Sequence, residues 1–296
     1  MKEECRLKTP VNEVESVEKL NTPVISVIMC VHMKESSDEL VLAVDSILNQ
    51  SFSDFEFIIC DDASDAFIWD ILKNYQQQDS RIRLIRNKET NGVAASLNRC
   101  ISKAKGQYIA RMDGDDISAR NRLELQYKFL EGHPEYAFVG CNAHLLENQY
   151  IWGSRRMPEK PVGKDFLAYS PYIHPTIMGR RELFLHDGGY RALKKTWRCE
   201  DYEFFMRQFS QGYYGYNLQK RLYYYREDSK GYQKRQYRYC ISEALIRFQG
   251  YSRIGMLWKG GLVYWLKPLF VGMVPKKYYY RWKRRQTEGV VQKGPV

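Results

Sequence analysis

Tyr108-Ile-Ala-Arg-Met-Asp-Gly-Asp-Asp116 decides the fold of this chain. A short apolar run, suited to a buried strand, ends in three carboxylates within four residues: Asp113, Asp115 and Asp116. So much negative charge at one strand end is costly unless a cation offsets it. Hard oxygen donors favour Mg²⁺ or Mn²⁺, whose shell is commonly completed by phosphate oxygens. The plainer reading is an Asp-Gly turn followed by Asp116 as a helix N-cap. The stretches on either side decide between the two.

Upstream, Ile25–Val31 is a compact β-branched run and Phe55–Cys60 a second, which ends in Asp61-Asp62-Ala63-Ser64. Arg81–Arg86 alternates as a third strand, and Gln107–Met112 is the fourth. Between them, apolar residues recur at helical spacing: Leu40, Ala43, Val44, Ile47 and Leu48; then Phe67, Ile68, Ile71, Leu72 and Tyr75; then Val93, Ala94, Leu97, Ile101 and Ala104. The strand ends fall near positions 31, 60, 86 and 112, which are 29, 26 and 26 residues apart. That rhythm belongs to right-handed βαβ units building a parallel sheet with helices on both faces. Such sheets bind ligands beyond the carboxyl ends of their strands. His32, the Asp61/Asp62 pair and the acidic cluster therefore converge on one crevice, which favours the cation-binding reading.

Downstream, Leu123, Gln126, Tyr127 and Leu130 continue as a helix, and Tyr136–Cys141 reads as a further strand. Residues 151–175, rich in Pro and Gly, read as an irregular segment wrapping the site. Glu200-Asp201 opens a helix bearing Phe204, Phe205 and Phe209 that Gly212 stops. The division expected is a solvated lead-in at 1–22, a catalytic domain at 23–215, and a basic, aromatic, helical C-terminal region at 216–296.

Charge is uneven. The chain of 296 residues has 46 Lys and Arg against 35 Asp and Glu, a net +11. From residue 217 onward there are 18 basic and 4 acidic residues. A surplus of this size points to a polyanionic partner: a nucleotide, a membrane surface or a nucleic acid. The segment 256–275 is apolar but carries Lys259, Lys267 and Pro268, against a membrane-spanning helix of about 20 apolar residues. Trp258, Trp265, Tyr278–Trp282 and Arg281–Arg285 suit an anchor on an anionic membrane surface. A C-terminal helical hairpin packed on the domain is the alternative. Seven cysteines without CxxC spacing read as reduced thiols in a cytosolic protein. The charged first 20 residues lack the apolar region of a secretory signal.

Taken together, these motifs resemble those of the inverting glycosyltransferase family 2 of the bacterial surface-polysaccharide type. Its members have a GT-A (Rossmann-like) fold and use nucleotide-diphosphate sugars. The resemblance runs from about Ile25 to Gly212. It rests on Ser26-Val27-Ile28-Met29, Asp61-Asp62-Ala63-Ser64, Asn91-Gly92 with Asn98, and Arg111–Asp116, followed by Asn121-Arg122-Leu123-Glu124, His174-Pro175-Thr176 and Glu200-Asp201. The chain departs from it after the first strand, where Cys30-Val31-His32-Met33 replaces the usual Pro-Val-Tyr-Asn.

The resemblance implies a nucleotide-sugar site formed by Val31, His32, Asp61, Asp62, Asn91, Asp113, Arg122 and His174. The Asp61/Asp62 pair is expected to hold a uracil-type base, and Arg122 to brace the acidic cluster. Mn²⁺ or Mg²⁺ would be held by Asp115, with Asp113 shared between metal and ribose and Asp116 structural. Asp201, with Glu200 beside it, is the candidate base that takes the acceptor's proton. Its place in the first turn of a helix stabilises its anion, while burial would raise its basicity. The processive signature Gln-x-x-Arg-Trp is lacking, since Tyr278 stands three before Arg281. One sugar added per encounter is therefore expected, to a lipid-linked or growing glycan acceptor, at the inner face of the cytoplasmic membrane.

Three alternatives compete. A sugar-nucleotide-forming nucleotidyltransferase would carry a Gly-rich loop after the first strand, and Cys30–Ser36 has no Gly. A nucleic-acid-binding protein would spread its basic and aromatic residues along a groove, whereas here they flank an apolar segment, so no nucleic-acid partner is expected. A catalytically dead membrane scaffold would have no need of all these carboxylates.

Overall fold

The computed structural model describes residues 22–33, 37–147, 149–193, 196, 198–227, 236–275 and 278. The expected lead-in and most of the Tyr278–Arg285 anchor lie outside them.

Four strands begin the sheet: β1 (Ile25–Val31), β2 (Phe55–Asp61), β3 (Ile82–Arg86) and β4 (Tyr108–Asp113). They pair in parallel in the spatial order β3-β2-β1-β4. The helices between them are α1 (Asp38–Leu48), α2 (Ala66–Gln78) and α3 (Val93–Lys103). After β4 come β5 (Ile117–Ser118), α4 (Arg122–Gly132), β6 (Phe138–Glu147), β7 (Tyr150–Arg155), β8 (Met178–Arg180) and α5 (Arg181–Leu185). Then α6 (Glu200–Ser210) leads into β9 (Gly215–Arg226). The sheet continues β4-β8-β6-β9-β5, with β7 on β6; the pairs in this half are antiparallel except β6 with β9.

Side chains alternate between the two faces. Val27, Met29 and Val31 of β1 pack with Leu40, Val44 and Ile47 of α1, Leu72 of α2 and Leu123 of α4. Ile28 of the same strand joins Leu97 and Ile101 of α3, Phe204 and Phe205 of α6, and Ile246 beyond. Both faces are therefore covered, the arrangement that the near-continuous apolar strands require.

Two expectations change. Residues 151–155 are not irregular but belong to β7, an antiparallel partner of β6. The boundary expected at 215 falls inside the sheet, because β9 runs to Arg226 between β6 and β5. The crowded tyrosines belong partly to this strand, and Tyr223 is fully buried.

The helical extension, among the described residues, starts at α7 (Tyr237–Arg253). Its buried face, with Ala244, Ile246, Arg247 and Tyr251, lies against α6 and the 166–168 backbone. A turn at Leu257–Gly261 and the short helices α8 (Leu262–Trp265) and α9 (Lys267–Met273) fold back on α7. Close packing shows at Gly272, where an added Cβ would come 2.7 Å from Cys240 Sγ. The hairpin alternative is thus realised on one side. The other side leaves Trp258 84%, Val263 79%, Phe270 66% and Met273 72% exposed. No helix among the described residues is long and apolar enough to cross a membrane.

Candidate active site

The carboxyl ends of β1, β2 and β4 lie side by side, with Val31 paired to Asp61 and Cys30 to Asp113. The chain turns away after each, so side chains at these ends line a shared crevice. Val31 is buried, and Gly114 sits close above it: an added Cβ there would come 3.3 Å from Val31 Cγ2. His32 is exposed on the rim and donates from Nδ1 to the Asp62 carbonyl at 2.7 Å.

The two aspartates after β2 differ. Asp61 is buried, accepts from the Ser64 amide at 2.9 Å and pairs with Arg86 Nε at 3.0 Å. The Arg86 guanidinium lies over the Trp69 ring at 4.8 Å. Asp62 is also buried, and its two oxygens accept from Asn87 Nδ2 (2.6 Å), Asn91 N (2.9 Å) and Gly92 N (2.8 Å). Gly92 has φ +85°, a left-handed conformation that glycine adopts without strain and that caps the start of α3. Asp62 thus anchors the Asn91-Gly92 loop; Asn91 itself is exposed beside the crevice.

At the end of β4 one carboxylate oxygen from each of Asp113, Asp115 and Asp116 lies within 4.8 Å of the other two. Asp113 is held by Arg111 Nη2 at 2.7 Å, and its amide donates to Tyr223 Oη at 3.2 Å. Asp116 is buried; Oδ1 accepts from the Arg226 amide at 2.6 Å, while Oδ2 has no hydrogen-bond partner. Burial first, then the Asp115 and Asp113 charges, push its carboxyl well above the usual range. Asp115 opens to solvent on one side. The crowded walls of the crevice and then the Asp113 charge push it up to about 6. Crowded acids with an orphaned buried oxygen fit a hard divalent cation, which would relieve both the repulsion and the missing contact.

Glu200 and Asp201 open α6. Burial outweighs the stabilising amides of the helix end: it raises Glu200, and with the Glu200 charge it takes Asp201 up to about 7. Phe204 and Phe205 are both buried on the same helix. His174 is buried, joined through Nε2 to Tyr190 Oη at 2.8 Å and edge-on to Phe205. Burial and then Arg111 hold its pKa well below the usual histidine range, so it is neutral.

Arg122 is placed differently from a ligand-binding side chain. It is fully buried beneath β4, donates from Nη1 to the carbonyls of Arg111 (3.0 Å) and Pro175 (3.1 Å), and faces the Tyr223 ring. It braces the floor of the site rather than its wall. Sequence reasoning gave no role to Arg111, Arg226 or Tyr223. Their signal is long-range: Arg226 donates from Nε to the Asp115 carbonyl at 2.8 Å from 111 residues away. Asn98, quoted only as a motif, clamps the turn before Tyr190 through bonds of 2.8 and 2.9 Å.

The sequence model named Glycosyl transferase family 2 matches residues 26–210. EpsE of Bacillus subtilis (strain 168), assigned as a glycosyltransferase, is 38% identical over 275 residues, 91% of this chain and 98% of that protein. The O-antigen biosynthesis glycosyltransferase WbnJ of Escherichia coli is 33% identical over 231 residues, 76% of this chain and 88% of WbnJ. A third relative from E. coli, the UDP-Glc:alpha-D-GlcNAc-diphosphoundecaprenol beta-1,3-glucosyltransferase WfaP, is 34% identical over 114 residues, 38% of this chain and 44% of WfaP. Among solved structures, S. aureus TarS 1-349 in complex with UDP superposes with a TM-score of 0.62 at 15% identity, covering 87% of this chain and 77% of that one. The mannosyltransferase PcManGT of Pyrobaculum calidifontis, in complex with GDP-Man and Mn²⁺, gives 0.62 at 14% identity over 90% and 80%. The fold is therefore GT-A-like. With the family model covering residues 26–210, more than half of the chain, and a full-length relative well above 30% identity, the chain belongs to glycosyl transferase family 2 and is a glycosyltransferase.

Proposed function

We propose that this protein is a metal-dependent, inverting, non-processive glycosyltransferase. It moves a sugar from a nucleotide diphosphate, of UDP type, to a hydroxyl of a lipid-linked or growing glycan acceptor. The observation that carries this reading is the meeting of three carboxylates within 4.8 Å at the end of β4, together with a carboxyl at the start of α6 that burial and the Glu200 charge raise to about 7. One set suits a diphosphate with its cation; the other suits a base.

Asp115 and Asp113 would hold Mn²⁺ or Mg²⁺, with Asp116 completing or buttressing the set. A divalent cation there would supply neutralisation of the charge that grows on the departing diphosphate. The Asp61–Arg86–Trp69 group and the Asn91 loop offer a carboxylate, a guanidinium and a ring beside the base end of the crevice. Asp201 takes the acceptor's hydroxyl proton as that oxygen bonds to the anomeric carbon and the bond to the diphosphate oxygen breaks. Attack from the face opposite the leaving group inverts the anomeric centre.

Support for the donor comes from the UDP and GDP-Man complexes of the structural neighbours, and for the acceptor from the diphosphoundecaprenol in WfaP's name. The C-terminal side supports membrane attachment. Trp258, Val263, Phe270 and Met273 are exposed near Lys259 and Lys267, and the sequence beyond carries Lys276, Lys277, Arg281, Lys283, Arg284 and Arg285. An apolar face edged with cations lies flat on an anionic bilayer. On this reading the enzyme works at the inner face of the cytoplasmic membrane. Transfer from a nucleotide-sugar panel, measured with and without EDTA, tests the reading. Activity that survives full metal removal, or an unchanged rate in Asp115→Ala, would overturn the metal role.

A further inference from the structure

A 3₁₀ turn over Gly163–Phe166 leaves the last carbonyls of its segment to be satisfied from outside. Three in succession accept from side chains of other elements. Tyr202 of α6 donates to the Phe166 carbonyl. Arg247 Nη1 and Tyr251 Oη, both on α7, reach the Leu167 carbonyl at 2.8 Å each. Arg247 Nη2 at 3.4 Å and Lys267 Nζ of α9 at 3.3 Å reach that of Ala168. The donors are joined to one another as well. Arg247 donates to Tyr251 Oη at 2.6 Å and pairs with Glu243, one turn earlier, at 2.9 Å, and the hydroxyls of Tyr251 and Tyr202 lie 3.2 Å apart.

Arg247 is 4% exposed, Tyr251 is fully buried and Tyr202 is buried too. Buried charged groups hold a helix no more tightly than well-packed apolar ones would. What a satisfied polar network adds is a unique position. Position matters here because Tyr202 directly follows Asp201 in the first turn of α6. Further along that helix, Phe205 meets the Tyr172 ring at 4.9 Å and Phe209 lies edge-on to Phe166 at 5.2 Å. On its other flank, α7 comes so near that a Cβ at Gly250 would strike the Met206 side chain. The first turn of α6, the 166–168 segment and α7 therefore meet at one hydrogen-bonded junction.

We propose that Arg247 and Tyr251 are positioning residues for transfer: through Tyr202 and the 166–168 carbonyls, the C-terminal extension sets the first turn of α6, and with it Asp201, for the acceptor's hydroxyl. This gives the extension a role beyond membrane docking, and it rests on the reading of Asp201 as the base. The donor side is built from other parts, since Asp61, Asp62 and Asp113 take their partners from Ser64, Arg86, Asn87, the Asn91 loop and Arg111.

The test uses the full chain with graded changes. Tyr251→Phe removes one oxygen, Arg247→Met removes the guanidinium, and Arg247→Lys keeps the charge without the planar fork that spans two carbonyls. UDP affinity is read by calorimetry in Mn²⁺. Initial rates are read with the donor that wild type uses from the nucleotide-sugar panel and a short-chain, water-soluble GlcNAc-diphospholipid as acceptor. Tyr251→Phe should lower kcat/KM for the acceptor about tenfold and Arg247→Met about a hundredfold, the scale of an ångström-sized misplacement, while UDP affinity stays within about twofold. Arg247→Lys should fall between Met and wild type. A role confined to stability would lower the melting temperature and leave kcat/KM intact well below it. The proposal falls on that result, and equally if UDP affinity drops in step with transfer. Should Arg247→Met fail to fold, Tyr251→Phe and Arg247→Lys carry the same comparison. The base reading fails separately, through Asp201→Asn turning over near the wild-type rate.

Discussion

Replacing Asp201 by Asn probes the site where its physics is most unusual. Burial, and then the Glu200 charge, raise this carboxyl from the ordinary aspartate range to about 7. Its ionised fraction is then about one half at pH 7 and about one tenth at pH 6. The wild-type kcat/KM should fall about fivefold between those two pH values and tenfold per unit below them. Asp201→Asn should lose about 10²–10⁴-fold in transfer, the usual contribution of a placed base, and should still bind nucleotide diphosphate. The same shift fixes a stability effect. The folded carboxyl is protonated below pH 7 and the unfolded one only below about 4. The cost of its ionised form is therefore fully present above pH 7 and fades as pH falls toward 4. Asp201→Asn should be more stable than wild type at pH 8 by on the order of 2–4 kcal/mol, with the gain disappearing near pH 4. Urea unfolding at the two pH values, alongside initial rates, supplies both readings. A flat pH–rate profile from pH 6 to 8, with Asn as active as Asp, would refute the assignment.

Two other perturbations follow from the geometry. Asp62→Ala removes three hydrogen bonds that tie the Asn91-Gly92 loop to β2. It should cost about 3 kcal/mol in urea unfolding and weaken nucleotide binding with it, since bonds to a charged group are worth about 1.5–3 kcal/mol each and part of the loss is recovered by water. Asp62→Asn should recover only part of that. On the C-terminal side, Trp258→Ser with Phe270→Ser should lower binding to anionic vesicles by at least tenfold in co-sedimentation, while leaving transfer to a short soluble acceptor unchanged. Equal binding to neutral and anionic vesicles would contradict the basic-edge account.

The parallel half of the fold was legible because each strand is a compact apolar run and each helix a clean stripe. The spacing between strand ends left one topology. The acidic cluster and Glu200-Asp201 were legible because carboxylates at strand and helix ends are conspicuous. β9 was not, since Gln219, Lys220 and Arg221 break its alternation in mid-strand. It is held by pairing with β6 and β5, not by its own pattern. Asp62 could not be told from Asp61 in sequence. Its partners sit 25 to 30 residues away, and only the folded loop turns their amides toward it. Arg122 was read as a brace for the acidic cluster; that its Nη1 donates to two backbone carbonyls beneath β4 was not legible, because those carbonyls come from Arg111 and Pro175, 11 and 53 residues away. The contest at Asp201 between helix end and burial could be posed from sequence but only decided by packing.

The central claim is that the carboxylates at the end of β4 bind a nucleotide diphosphate through a divalent cation. Calorimetric titration of a nucleotide-diphosphate panel into metal-stripped protein, and into the same protein with Mn²⁺ restored, tests it most directly. The account predicts binding only with Mn²⁺, with UDP first among the panel and with the heat abolished in Asp115→Ala. UDP binding of equal strength with and without the metal, unaffected by Asp115→Ala, would contradict it.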